Sequence, residues 1–243
     1  MHFVKKASIL KSRLKNFLSI FINSKLYFFK VFVDYFIIKK NIIDKHSSLK
    51  INSNIKETET FEKYFVLKNN FIQHGLIRAT QLNLHKKNNL SILDLGTGAG
   101  YFPYICNFYG NHAECLDIEG NEFYDHSTDA LSLIKYHHEI LYNKNLPIDK
   151  KYDLICAYMI CFNGHKTKAL WGVHEWSIFL REIIQKNLKN GGKIFLSFNL
   201  EDDGKPFSED LNKFFNSFSK SFSKNEILIS NNKELIEVIE KNK

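Results

Sequence analysis

This 243-residue sequence predicts an α/β protein built on a doubly wound, mostly parallel sheet, and three observations carry that prediction. The first is Ser91-Ile-Leu-Asp-Leu-Gly-Thr-Gly-Ala-Gly-Tyr-Phe102. Ile92 to Leu95 is apolar apart from one acid and reads as a short buried parallel strand. Glycines at 96, 98 and 100 then let the chain turn, and their missing side chains let a ligand approach the main chain. An amphipathic helical run, Tyr101 to Tyr109, follows. The second observation is an apolar run, His112 to Leu116, closed by Asp117, 21 residues beyond Gly96. That is the separation of strand, helix and strand ending in an acid placed for a ribose. The third is an amphipathic helix, Ser177 to Leu188, which Asn190-Gly-Gly-Lys193 stops before a further strand, Ile194 to Phe198. Such an alternation places a nucleotide-type site at the carboxyl ends of the strands.

The spacing of the glycines narrows the ligand. A dinucleotide fingerprint, Gly-x-Gly-x-x-Gly, would put its third glycine at 99 or 101, and those positions are Ala99 and Tyr101. The pattern Asp94-x-Gly96-x-Gly98-x-Gly100, with Asp117 beyond it, resembles the class I S-adenosylmethionine (SAM)-dependent methyltransferases. The resemblance covers about residues 58–230. It implies a Rossmann-like methyltransferase fold of seven strands, closed by an antiparallel hairpin, with SAM across the ends of the first, second and fourth. Asp94 would end the first strand, and Gly96, Thr97, Gly98 and Gly100 would pass under the methionine part of SAM. Asp117 would take the ribose hydroxyls, with Ile118 beside it. Tyr152-Asp-Leu-Ile resembles the opening of the family's fourth strand, which makes Asp153 structural and sets Tyr158 at the strand end against the cofactor. Near the third strand, Glu139 is the only acid at hand for the adenine amine.

In chain order, residues 1–57 form a basic amphipathic arm and linker, and 58–243 the catalytic domain. Within the arm, Leu10, Leu14, Phe17, Leu18 and Phe21 recur at helical spacing, continued by Ile22, Leu26, Phe29, Val33 and Phe36. Lys25, Lys30 and Asp34 interrupt any span long enough to cross a membrane, and no small-residue cleavage site marks a secretory signal. Two readings stay open: a helix lying in the interface of an anionic membrane through residues 1–43, or a helical lid packed on the domain or on a second copy in a homodimer. Asp44 to Glu59 is polar and reads as a linker. Phe61 to Leu84 has helical periodicity. A helix over Asp125 to Leu133 would take Ser127 or Thr128 as its N-cap, and Tyr136 to Leu141 would be the third strand. In the tail, Leu211 to Phe218 reads as a helix and Ile227 to Ser230 as a strand, with Glu234 to Lys241 a final strand or helix. The outermost strands have little room and would be short.

Asn163-Gly-His-Lys-Thr-Lys-Ala-Leu-Trp-Gly-Val-His-Glu-Trp176 holds both tryptophans. With Phe162 it resembles a Phe-Asn-x-His, Trp-Gly, Glu-Trp segment of an uncharacterised bacterial subgroup of these methyltransferases, a likeness that names no substrate. His165 is a candidate general base and Asn163 its catalytic neighbour, with Phe162, Trp171 and Trp176 as acceptor-side residues. The other reading has the tryptophans anchor a loop and His165 hydrogen-bond the backbone.

Composition excludes several classes. Residues 1–56 hold 12 Lys/Arg against 2 Asp/Glu, so the net charge of +8 belongs to the arm and the domain is near neutral. That argues against nucleic acid, which calls for a positive cleft. Cys106, Cys115, Cys156 and Cys161 form no Cys-x-x-Cys pair, and no His/Cys spacing suggests a metal, as expected of reduced core cysteines in a cytoplasmic protein. The expected activity is methyl transfer from SAM to a small-molecule, glycan or lipid-linked acceptor, in the cytoplasm or peripherally on the membrane's inner face. A nucleotide-cofactor oxidoreductase and a non-catalytic SAM-binding module are the alternatives.

Overall fold

The structure is a computed structural model that describes residues 25–52, 71–159, 171–200, 204–230, 235–237 and 239. Seven strands form one sheet: β1 (Ser91–Leu95), β2 (His112–Asp117), β3 (Lys135–His137), β4 (Tyr152–Tyr158), β5 (Leu188–Ser197), β6 (Lys220–Ser223) and β7 (Glu226–Ile229). Their order is β3-β2-β1-β4-β5-β7-β6. The first five are parallel, while β7 runs antiparallel to both β5 and β6. A dinucleotide fold repeats its half-sheet as 3-2-1-4-5-6. Here the reversed β7 sits beside β5 instead, so the second half is closed by the short hairpin expected from the sequence.

Helices cover both faces. α1 (Lys25–Asn52), α2 (Phe71–Gln81), α3 (Tyr101–Phe108) and α4 (Glu122–Ala130) pack on one, and α5 (Val173–Asn187) and α6 (Glu209–Asn216) on the other. Strand alternation sorts the core accordingly. Ile92, Cys115, Leu154, Cys156 and Phe195 face the first layer. Leu93, Leu95, Leu116, Ile155 and Leu196 face the second. Gly75 lets α2 approach α3, since a Cβ there would stand 2.8 Å from Ile105 Cδ1. Asp153 is structural, accepting the Ser91 N–H and the Lys189 ammonium, both at 2.8 Å. Cys106, Cys115 and Cys156 are buried free thiols, and Cys161 lies outside the described residues.

Several element bounds differ from the sequence reading. Residues 44–52 are not linker but the last turns of α1. His46 there is buried, its Nε2 2.9 Å from Ser127 Oγ, which donates to the Ala99 carbonyl at 2.7 Å. α4 starts at Glu122, capped by the Asn121 side chain. Ser127 and Thr128, expected as caps, are buried inside it, where their hydroxyls bond to carbonyls. β3 is shorter than expected and ends at His137. α5 begins at Val173, where the Glu175 carboxylate accepts the Gly172 N–H at 2.8 Å. It ends at Asn187, and the Gly191-Gly192 pair lies inside β5 rather than in the turn before it. No described helix is long and apolar enough to cross a membrane.

Candidate cofactor site

The sheet changes direction of winding between β1 and β4, and in open α/β sheets ligands bind at such a switch point, outside the strands' carboxyl ends. The glycine loop leaves β1 at this point. Gly96 N donates to the Leu116 carbonyl at 2.7 Å, which pins the loop to β2. Gly96, Gly98 and Gly100 all have positive φ, 68°, 57° and 78°. Their roles divide. A Cβ at Gly98 would meet only the Tyr124 ring, at 3.7 Å, so the loop's outer edge is bare apart from that ring. A Cβ at Gly100 would stand 2.7 Å from Leu133 Cδ1 and 3.0 Å from Thr128 Cγ2. Gly100 therefore lets the loop sit close on α4 and the turn after it.

Asp117 turns toward the loop. Its Oδ2 accepts the Gly98 N–H at 2.6 Å and its Oδ1 the Ile118 N–H at 2.8 Å. A carboxylate oxygen has two lone pairs, so each retains one for a further donor. Ile118 next to it is 52% exposed, an apolar side chain open to solvent just beyond β2. Glu139 is exposed two residues beyond β3.

Asp94, near the end of β1, is 3% exposed. The Thr97 hydroxyl donates to its Oδ2 at 2.7 Å, while its buried Oδ1 has no hydrogen-bond partner. Burial pushes its pKa up to about 7, against the lowering effects of Thr97 and the Arg78 charge. The β1–β4 register pairs Asp94 with Cys156, which puts Tyr158 on the same face two residues on. The Tyr158 hydroxyl is also buried without a partner. Over its ring lies Arg78 of α2, Cζ 3.4 Å from the centroid. Among the described residues the Arg78 guanidinium makes no hydrogen bond or ion pair. The Arg78 guanidinium, the Tyr158 hydroxyl and the second oxygen of the Asp94 carboxylate thus share one face at the ends of β1 and β4 without a hydrogen-bond partner. Burial depresses the Arg78 pKa, partly offset by Tyr158 and Asp94.

Arg78 and Tyr124 were not foreseen. Each falls in a helical pattern where an isolated polar residue gives no signal of what it reaches across the fold. Met159 was missed too: directly after β4 it is 55% exposed with φ 51°, a conformation that strains a non-glycine residue. His165, Asn163 and Phe162 lie outside the described residues. Trp176 is fully buried among Trp171, Phe179, Phe198 and Phe215, so it anchors α5 to the sheet and does not wall an open pocket. Trp171 is half-buried, with Trp176 and Phe179 on one side and Tyr142 on another. A cavity of about 400 Å³ at the other end of the sheet, lined by Asn83, Lys87, Asp153, Asn190 and Lys193, is remote from all these groups.

No family model and no curated protein matches the chain. Among solved structures it is similar to a TehB-like SAM-dependent methyltransferase from Corynebacterium glutamicum, at 13% identity over 62% of this chain and 83% of that one, TM-score 0.45. A SAM-bound amino pentose methyltransferase from Micromonospora echinaspora is similar at 16% identity over 60% and 58% of the two chains, TM-score 0.44. An S-adenosylmethionine-dependent methyltransferase from Mesorhizobium loti shows 21% identity over 45% of this chain, TM-score 0.35, and the match spans about half, 47%, of that protein. At such identities and overlaps, activity must be read from this chain's own residues.

Proposed function

We propose that the chain is a SAM-dependent methyltransferase that holds its cofactor across the ends of β1, β2 and β4 and methylates a small-molecule, glycan or lipid-linked acceptor. One observation carries the reading: Asp94 and Tyr158 present buried polar atoms without partners beside the unpaired Arg78, next to a bare glycine loop that Asp117 faces. The methionine end of SAM bears an ammonium and a carboxylate. Asp94 suits the first and Arg78 the second, each as a charge-assisted hydrogen bond. The free lone pairs of Asp117 suit the two ribose hydroxyls, and the exposed Ile118 offers an apolar surface to the adenine ring.

When bound, SAM supplies an already activated methyl group on a sulfonium. The protein's task is then to hold acceptor and donor in line at near-contact distance. Phe162, Asn163, His165 and Trp171 are proposed for the acceptor side, with His165 taking a proton where the acceptor is a hydroxyl. A carboxylate acceptor would need no base.

Calorimetric titration with SAM tests the reading directly. Saturable binding that Asp117→Ala weakens by about 10- to 100-fold is expected, the loss of one or two charge-assisted bonds. Unchanged affinity in that variant would remove the ribose assignment. Binding of SAM with no turnover on any acceptor class would instead favour the non-catalytic module.

A further inference from the structure

α1 has two apolar faces, and only one of them is used. At 100° per residue, Val31, Asp34, Ile38, Ile42 and His46 fall in one line, and all five are buried. That line docks on the domain. Asp34 accepts the Tyr109 hydroxyl at 3.1 Å, His46 bonds Ser127, and Lys45 from the flank reaches the Ala130 carbonyl at 3.3 Å. Val33, Phe36 and Ile37 lie on the far side, 38%, 52% and 43% exposed. In the sequence, Phe29, Leu26 and Ile22 continue this second line at the same spacing. Val33 and Phe36, the described members of the stripe most visible in the sequence, therefore face away from the domain.

Charge indicates what covers it. Lys40 is exposed in line with the stripe, and in the sequence residues 1–56 hold 12 basic residues against 2 acidic ones. A second copy docking through the same stripe about a twofold axis would set Lys40 against its own symmetry mate in a parallel pairing, like charge against like. An anionic lipid surface supplies the opposite charge and attracts each lysine that comes near it. We propose that the outward face of α1 docks on an anionic membrane surface, with Val33, Phe36 and Ile37 at the headgroup–acyl boundary and the lysines at the lipid phosphates. The helix lies in the interface and does not cross it.

The proposal stands apart from the methyltransferase reading, and its test needs no activity. The full chain is floated with vesicles of phosphatidylcholine alone and of phosphatidylcholine with about one third phosphatidylglycerol. Binding is expected to the anionic vesicles only, and to fall steeply with salt. The double substitution Phe36→Asp, Ile37→Asp lies on exposed positions, so circular dichroism should match the parent while vesicle binding drops about tenfold or more. Lys40→Glu should weaken binding in the same direction. Equal binding to neutral vesicles, no binding to anionic ones, or undiminished binding by the double variant would overturn the proposal. So would a dimer in sedimentation that the double variant dissolves, which would assign the face to a second copy.

Discussion

Arg78 and Asp94 are opposite charges on one side of the sheet that do not pair, and that separation leaves each available to a zwitterion. Arg78→Met keeps the apolar contact with Tyr158 and removes the charge. SAM affinity should fall about 10- to 100-fold by calorimetry while the midpoint of urea unfolding moves little, as expected of a lost charge-assisted bond to ligand. A large loss of stability with unchanged affinity would make Arg78 a structural residue. Asp94 sets a pH dependence. With its pKa raised to about 7, it is largely protonated in the free protein below that value. On the proposed reading the cofactor's ammonium favours the ionised form, so binding would release a proton at pH below 7. Affinity should therefore rise with pH, by at most tenfold per unit, and level off above about 7. Asp94→Asn should flatten the curve. Calorimetry in two buffers of different ionisation heat counts the proton directly.

At the level of elements, neighbouring glycines of one loop should answer differently to substitution. Gly98→Val puts a β-branched residue at φ 57° with only the Tyr124 ring near its Cβ, so the variant should fold, at a cost of about 1–3 kcal/mol, and lose SAM binding. Gly100→Ala meets Leu133 and Thr128 instead and should lower the unfolding midpoint more than a surface change would. The α1–α4 joint adds a second pH effect. Burial lowers the pKa of His46 to about 4, so the folded protein keeps it neutral. Its contribution is fully present above about pH 6.5, the unfolded value, and is lost as pH falls through the range down to about 4, where the unfolded chain binds a proton that the folded one refuses. His46→Gln should remove this acid-side loss, measured as urea unfolding at pH 4.5 and 7. If both proteins lose stability equally over that range, His46 does not govern the joint.

The whole molecule shows where sequence reasoning reaches and where it stops. The closing hairpin was implied by the family resemblance, while strands β1, β2, β4 and β5 and the turn of Asp117 toward the glycine loop were legible because short apolar runs, alternating glycines and the 21 residues from Gly96 to Asp117 are local signals. The inward face of α1 was not. Its docking line includes Asp34 and His46, polar residues buried against partners just past the end of α3 and on α4 that no local pattern reveals. For the same reason Trp176 read as a pocket wall although it is core, and Arg78 went unseen on α2. The topology makes one further demand. With β7 reversed beside β5, the second mononucleotide half that a dinucleotide needs is missing, so NAD should not stabilise the fold while SAM should. At SAM concentrations about 100 times its Kd, linkage adds about 2.7 kcal/mol. For a chain of this size each kcal/mol moves the melting temperature by about 2–4 °C, so SAM should raise it by roughly 5–10 °C. NAD at the same concentration should leave it where it was. A shift with NAD and none with SAM would return the chain to the oxidoreductases, whatever the spacing of its glycines.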